Sequence, residues 1–164
     1  MEKKAMSQSR VIEHIVFHTS ASGDQDIGAK EIREWHKEKG WSDIGYHYVI
    51  RRDGTIEQGR PLEKIGAHVR GYNSRSIGIC MIGGKKTIQG WVGGYTPEQW
   101  VAAGYLAGKL HAAFPDAQFK GHRDFSPDLN KDGKITRDEW IKECPCFDVE
   151  SVIKLPSIPG VDDE

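Results

Sequence analysis

EIREWHKEKGWSDIGYHYVIRRDGTIEQGR, residues 31–60, holds the order of elements on which the fold turns. Across residues 26–39, Ala29, Ile32, Trp35 and His36 recur at helical spacing, and Gly40 supplies a stop. Residues 46–52 and 55–58 are β-prone and flank Asp53-Gly54, a hairpin signal whose two-residue form needs positive φ at both turn positions. A helix followed directly by a hairpin implies strands that do not all run the same way. Upstream, VIEHIVF (11–17) is a mostly apolar, β-branched run and reads as a buried strand ending near His18. Downstream, residues 59–75 read as a surface loop, SIGICMI (76–82) as a second buried strand, and 83–94 as a glycine-rich connection. Thr96-Pro97-Glu98-Gln99 opens a helix reaching about Phe114, with Thr96 as cap, Pro97 in the first turn and Gln99 completing a capping box. Residues 117–120 form a last short strand, 123–146 look irregular, and a short helix follows Asp148. The expected fold is α/β: a single domain over residues 11–155 with a central mixed β-sheet flanked by helices, an N-terminal extension (1–10) and a flexible tail (156–164).

The totals narrow the classes. A chain of 164 residues fits one domain with one core, and 37% hydrophobic with 29% charged residues describes a folded protein rather than a disordered one. A net charge of -1 gives no reason to expect a nucleic acid or an anionic membrane as partner. No stretch approaches the roughly 18 apolar residues of a membrane span. The opening MEKKAMSQSR lacks the apolar core of a secretory signal, so the chain is expected in the cytoplasm as synthesised. No feature demands more than a monomer. Cys80, Cys144 and Cys146 cannot all pair within one chain, which favours free thiols or metal ligation over a disulfide framework.

Three side chains stand out as soft-metal ligands: His18 closing the first strand, His122 following the last, and Cys144 in KECPC (142–146). Two histidines and a thiolate suit Zn²⁺ and leave a fourth tetrahedral position open. Spacing alone does not select this triplet among seven histidines, and satisfied structural histidines are the alternative. His47 follows Tyr46 on a strand and should face the other way, His36 lies on the apolar face of the first helix, and His14 and His111 carry no signal. Cys80, in an apolar strand, reads as a small buried hydrophobe.

Several ordered segments carry a family resemblance: FHTSAS (17–22), the 31–60 stretch, GAHVRGYNSRSIGICMIGG (66–84), GHRD (121–124) and KECPCFD (142–148). The chain resembles the type 2 N-acetylmuramoyl-L-alanine amidases, the family of the phage amidase-lysozymes and the peptidoglycan recognition proteins, with the phage branch nearer. The resemblance implies zinc on His18, His122 and Cys144, with Tyr46 and Lys142 as the catalytic tyrosine and lysine. It implies hydrolysis of the amide between the lactyl group of N-acetylmuramic acid and L-alanine in peptidoglycan or muropeptide fragments. Lys142 would stabilise the oxyanion, and Tyr46 would hydrogen-bond the attacking water or relay a proton. His68, Tyr72 and Asn73 fall where the family lines its substrate groove, and Cys146 stands where the phage pattern has a serine. Release to the cell wall through a phage-type lysis route fits the same resemblance. The alternative from the same family is a non-catalytic peptidoglycan-binding module.

DLNKDGKITRDE, residues 128–139, is an insertion relative to the phage pattern and matches the calcium loop of EF-hand proteins. Asp128, Asn130 and Asp132 fill positions 1, 3 and 5, Gly133 the sharp turn, Lys134 the backbone-carbonyl position, and Glu139 the bidentate position. Ser126-Pro127 removes the entering helix, and Asp, Asn and Gly are also what a polar turn uses. A Ca²⁺ site and a plain surface turn both remain open from sequence.

Overall fold

The computed structural model describes residues 10–153. The expected residues of the N-terminal extension before Arg10, and the whole expected tail, lie outside them. Arg10 itself is packed into the domain, its guanidinium donating to the carbonyls of Leu62 (2.9 Å) and Ser76 (2.7 Å).

In chain order the elements are β1 (His14–Thr19), α1 (Ala29–Glu38), β2 (Tyr48–Ile50), β3 (Ile56–Gln58), β4 (Ser76–Met81), β5 (Lys85–Thr87), β6 (Gly90–Val92), α2 (Pro97–Ala113), β7 (Gln118–Gly121) and α3 (Val149–Val152). The main sheet has the order β3-β2-β4-β1-β7; β2, β4, β1 and β7 are parallel and β3 is antiparallel at the edge, so the sheet is mixed as expected. Side chains alternate along each strand. Ile15 and Phe17 of β1, and Ile77, Ile79 and Met81 of β4, point to one face, where Ala103, Leu106 and Leu110 of α2 cover them. Cys80 and Val49 meet Ile32 and Ile44 on the other face, under α1. His18 belongs by the same alternation to the α1 face, and the C-terminal end of β1 and the residue after β7, His122, line a groove there.

Two sequence expectations are corrected. Asp53-Gly54 does not form a two-residue turn: Gly54 N–H donates to Arg51 O (2.9 Å), Arg51 N–H donates to Thr55 O, and only Gly54 has positive φ (+88°). This is a three-residue loop closed by a left-handed glycine, which suits a chain where Arg52 must reach across to Gly94 O (2.8 Å). Residues 83–94 are not a plain connection but contain the β5–β6 hairpin, whose register Thr87↔Gly90 leaves two residues in the turn. The glycines that suggested a loop are the hinges around it.

The α2 capping box forms as read: Gln99 N–H donates to Thr96 Oγ1 (3.1 Å) and Thr96 N–H to Gln99 Oε1 (3.0 Å). Gln99 also does what capping alone does not require. Fully buried, it donates through Nε2 to Ile50 O (3.2 Å) and Ile82 O (2.7 Å), pinning the helix start to the ends of β2 and β4.

Candidate metal centre

Parallel pairing of β1 with β7 sets Phe17 opposite Gly121, so the next residue of each chain, His18 and His122, stand side by side at the strand ends, ring centroids 4.8 Å apart. Cys144 comes from 22 residues further on and is docked by several local contacts. Arg123 N–H donates to Cys144 O (2.9 Å), and the Pro145 ring lies on Gly121, where a Cβ would meet Pro145 Cδ at 2.7 Å. Tyr95 donates its hydroxyl to Pro145 O (2.7 Å). Gly121 is therefore required by close approach. The result is a cluster in which one donor atom each of His18, His122 and Cys144 lies within 4.8 Å of the others. His18 Nδ1 and Cys144 Sγ are 3.8 Å apart. Zinc bonds of about 2.0 and 2.3 Å at a tetrahedral angle would separate nitrogen and sulfur by roughly 3.5 Å, so the donors fit the ion in chemistry and spacing.

The protonation states suit ligation. Burial holds His18 well below the ordinary imidazole range and His122 at about 4, so both rings are neutral at pH 7 with a lone pair free. Burial pushes the Cys144 thiol up to about 12, opposed by the Thr19 N–H that donates to Sγ at 3.1 Å and by Lys142. A cation bound here would replace the thiol proton, so metal uptake would release a proton. With Nδ1 facing Cys144, His18 donates from Nε2 to His68 Nδ1 (2.9 Å), and His68 Nε2 is left to donate to Ser76 Oγ (3.1 Å). A two-histidine relay thus sets the tautomer and ring angle of His18.

The amino-acid sequence matches the family model described as N-acetylmuramoyl-L-alanine amidase over residues 8–145. It is 38% identical over 151 residues to an endolysin of Klebsiella phage KP32, covering 92% of this chain and 91% of that one. The fold is similar to that of N-acetylmuramoyl-L-alanine amidase LysC from Clostridium intestinale, with TM-score 0.66, 30% identity, and 88% and 84% of the two chains covered. Drosophila PGRP-LB, at 24% identity and TM-score 0.64 over 94% of this chain and 87% of that one, shares the fold. The chain belongs to the N-acetylmuramoyl-L-alanine amidase family.

In this amidase a groove runs past the donor cluster and is lined by Tyr46, Lys142 and Asn73, with Lys39 and Arg70 adding positive charge. The Tyr46 ring lies 5.1 Å from that of His18, and burial raises its hydroxyl well above the usual phenol range, so it holds its proton. The groove residues expected from sequence separate into three. Asn73 shapes the loop, its Oδ1 accepting from His68 N (2.9 Å) and Val69 N (2.8 Å). His68 is buried, and its ring nitrogens are occupied by His18 and Ser76 rather than offered to a ligand. Tyr72 is not in the groove. The turn through Gly71 (φ +90°) and the Tyr72 N–H to Val69 O bond send its ring onto Phe125 (centroids 4.5 Å) and His14, in a separate depression.

His47 and His36 are packed side chains, as read. His47 Nδ1 accepts from Gly78 N (3.0 Å) and its Nε2 donates to Lys64 O (2.8 Å), while His36 Nδ1 accepts from Gly45 N (2.9 Å). Cys80 is fully buried. Cys146 is free and half-buried beside the groove, and Cys144, not Cys146, stands in the donor cluster. In the 128–139 segment, Asp128, Asp132 and Glu139 gather into a second cluster, with Asn130 and Lys134 in the same turn. The role of His68 was missed from sequence, although Gly78 signalled it. A glycine inside a buried strand marks a close approach, and a Cβ there would meet the His68 ring at 2.6 Å.

Proposed function

We propose that this amidase is a zinc hydrolase that cleaves the amide between the lactyl group of N-acetylmuramic acid and L-alanine of the peptidoglycan stem. The convergence of His18, His122 and Cys144 at the mouth of a groove that also presents Lys142 and Tyr46 supports this reading. His18, His122 and Cys144 would hold the zinc, which would supply Lewis acidity and water activation near neutral pH. The chain's own groups do the rest. The Lys142 ammonium is a compact positive charge for the oxyanion that forms as water adds to the carbonyl. The Tyr46 hydroxyl, still protonated, donates a hydrogen bond and can relay to the leaving alanine nitrogen the proton that the adding water loses as the C–N bond breaks. Lys39, Arg70 and Lys142 match a stem peptide that carries free carboxylates. We read the enzyme as a monomer acting on wall peptidoglycan in the manner of the endolysin relative. Among the described residues no helix is long and apolar enough to cross a membrane.

The test is zinc content beside release of stem peptide from purified peptidoglycan, for wild type, Cys144→Ala and Lys142→Ala. The expected outcome is about one zinc per chain in wild type and loss of both metal and peptide release in Cys144→Ala. Lys142→Ala should keep zinc while turnover falls about a hundredfold or more. Full zinc and activity in Cys144→Ala would dismantle the site, and zinc-loaded wild type that binds peptidoglycan without releasing peptide would make the chain a binding module.

A further inference from the structure

We infer that residues 128–139 form a calcium site, apart from the groove, that holds in place the arm carrying Lys142 and Cys144. The loop is built as a calcium loop in space as well as in sequence. Asp128, Asp132 and Glu139, spread over twelve residues, each bring an oxygen within 4.8 Å of the other two. Gly133 takes the sharp turn at φ +82°. The carboxylates are already ordered by backbone donors: Gly133 N–H to Asp128 Oδ2 (2.8 Å), Lys134 N–H to Asp132 Oδ1 (2.9 Å), and Thr136 N–H to Glu139 Oε1 (3.1 Å). Glu139 is only 4% exposed.

Three carboxylates so close repel one another, and the backbone amides that gather them supply no opposite charge. A separate observation points to a missing partner: Asp128 Oδ1 is buried and has no hydrogen-bond partner. A carboxylate oxygen shut away from water and unpaired is costly, and a cation is the partner that relieves it. The three gathered donors are oxygens, as are the Asn130 side chain and Lys134 carbonyl that the loop pattern would add, which selects a hard ion over zinc. A loop with this many oxygens suits Ca²⁺ better than Mg²⁺, which holds a tight octahedron and keeps its waters.

The position of the loop tells what the ion would do. It begins six residues after His122 and ends five before Cys144, so it is the connection between two donors of the metal cluster. Its stems are tied together: Arg123 lies over the Trp140 ring at 3.8 Å, and Ile141 N–H donates to Ser126 Oγ at 3.1 Å. Arg123 N–H in turn holds Cys144 O. Fixing Glu139 therefore fixes Trp140 and the arm beyond it.

The experiment is calorimetric titration of calcium chloride into the zinc-loaded full chain, wild type against Asp132→Asn and Glu139→Gln. Asp132→Asn keeps an oxygen for the Lys134 N–H and removes only the charge, so it should fold even where Glu139→Gln does not. We expect one calcium per wild-type chain, at least tenfold weaker binding in Asp132→Asn, and a calcium-induced rise in Tm in wild type only. Calcium should also slow zinc transfer to a zinc-selective fluorescent chelator severalfold in wild type and not in Asp132→Asn. No heat and no Tm shift in wild type, or equal binding in a folded Asp132→Asn, overturns the site. An identical isotherm with magnesium chloride overturns its assignment to calcium. Calcium binding without any change in zinc transfer overturns the link to the arm. None of these readouts depends on whether the groove cleaves peptidoglycan.

Discussion

His68 offers no atom to the His18–His122–Cys144 donor cluster, yet it decides which nitrogen of His18 faces Cys144. Without its Nδ1 as acceptor, the His18 Nε2 proton would be buried and unpaired, and the ring would be free to flip tautomer. His68→Ala should lower zinc affinity ten- to a hundredfold, read by competition with a chromophoric chelator. His68→Gln, whose amide oxygen accepts the same proton, should recover part of that loss while circular dichroism stays unchanged for both. Unaltered affinity in a folded His68→Ala would remove His68 from the site. At this scale the sequence was informative where a residue type has few uses: His, His and Cys in a resembling frame named the donors. It was silent where a histidine could serve equally as ligand, substrate contact or support, because those roles differ only in what the ring touches.

Elements formed where the local signals agreed. Thr96, Pro97 and Gln99 marked the start of α2, and the helix begins there because capping satisfies its first amides without help from the rest of the chain. What capping does not tell is that Gln99 faces inward and joins α2 to the ends of β2 and β4. Gln99→Ala should therefore cost more than a lost cap, about 2–3 kcal/mol, since it leaves a cavity and removes buried hydrogen bonds. The expected reading is a Tm lower by roughly 5–10 °C in thermal unfolding. A drop of only a degree or two would mean that Gln99 acts as a surface cap. The β5–β6 hairpin was illegible for the converse reason: its strands are three residues each, exposed and glycine-bounded, so their local signal is that of a loop. A bond across its own base, Gly84 N–H to Gly93 O, and one to the rest of the chain, Trp91 N–H to the Glu143 side-chain Oε2, hold it.

For the whole molecule, several buried neutral imidazoles make stability depend on pH. His47 is fully buried and burial lowers it from 6.5 to about 4, while an unfolded chain would protonate it near 6.5. A depressed histidine stabilises the fold fully above pH 6.5, and that contribution drains away as pH falls towards 4, because unfolding then takes up a proton. The gap corresponds to about 3 kcal/mol at 1.36 kcal/mol per pH unit. Denaturant midpoints should fall from about pH 6.5 to 4, and more shallowly in His47→Gln; parallel curves for the two proteins would exclude His47 as a contributor. By itself the sequence determined the α/β class and most strand and helix positions, since these rest on periodicity and capping that act over a few neighbours, while the family and the candidate donors came from the resemblance of several ordered segments. Only the tertiary structure decided that parallel register sets His18 beside His122, that Pro145 on Gly121 brings Cys144 to them, and that His68 turns in while Tyr72 turns away. Those outcomes depend on contacts between residues from 24 to more than 100 positions apart, where packing rather than local preference chooses the side chain's place.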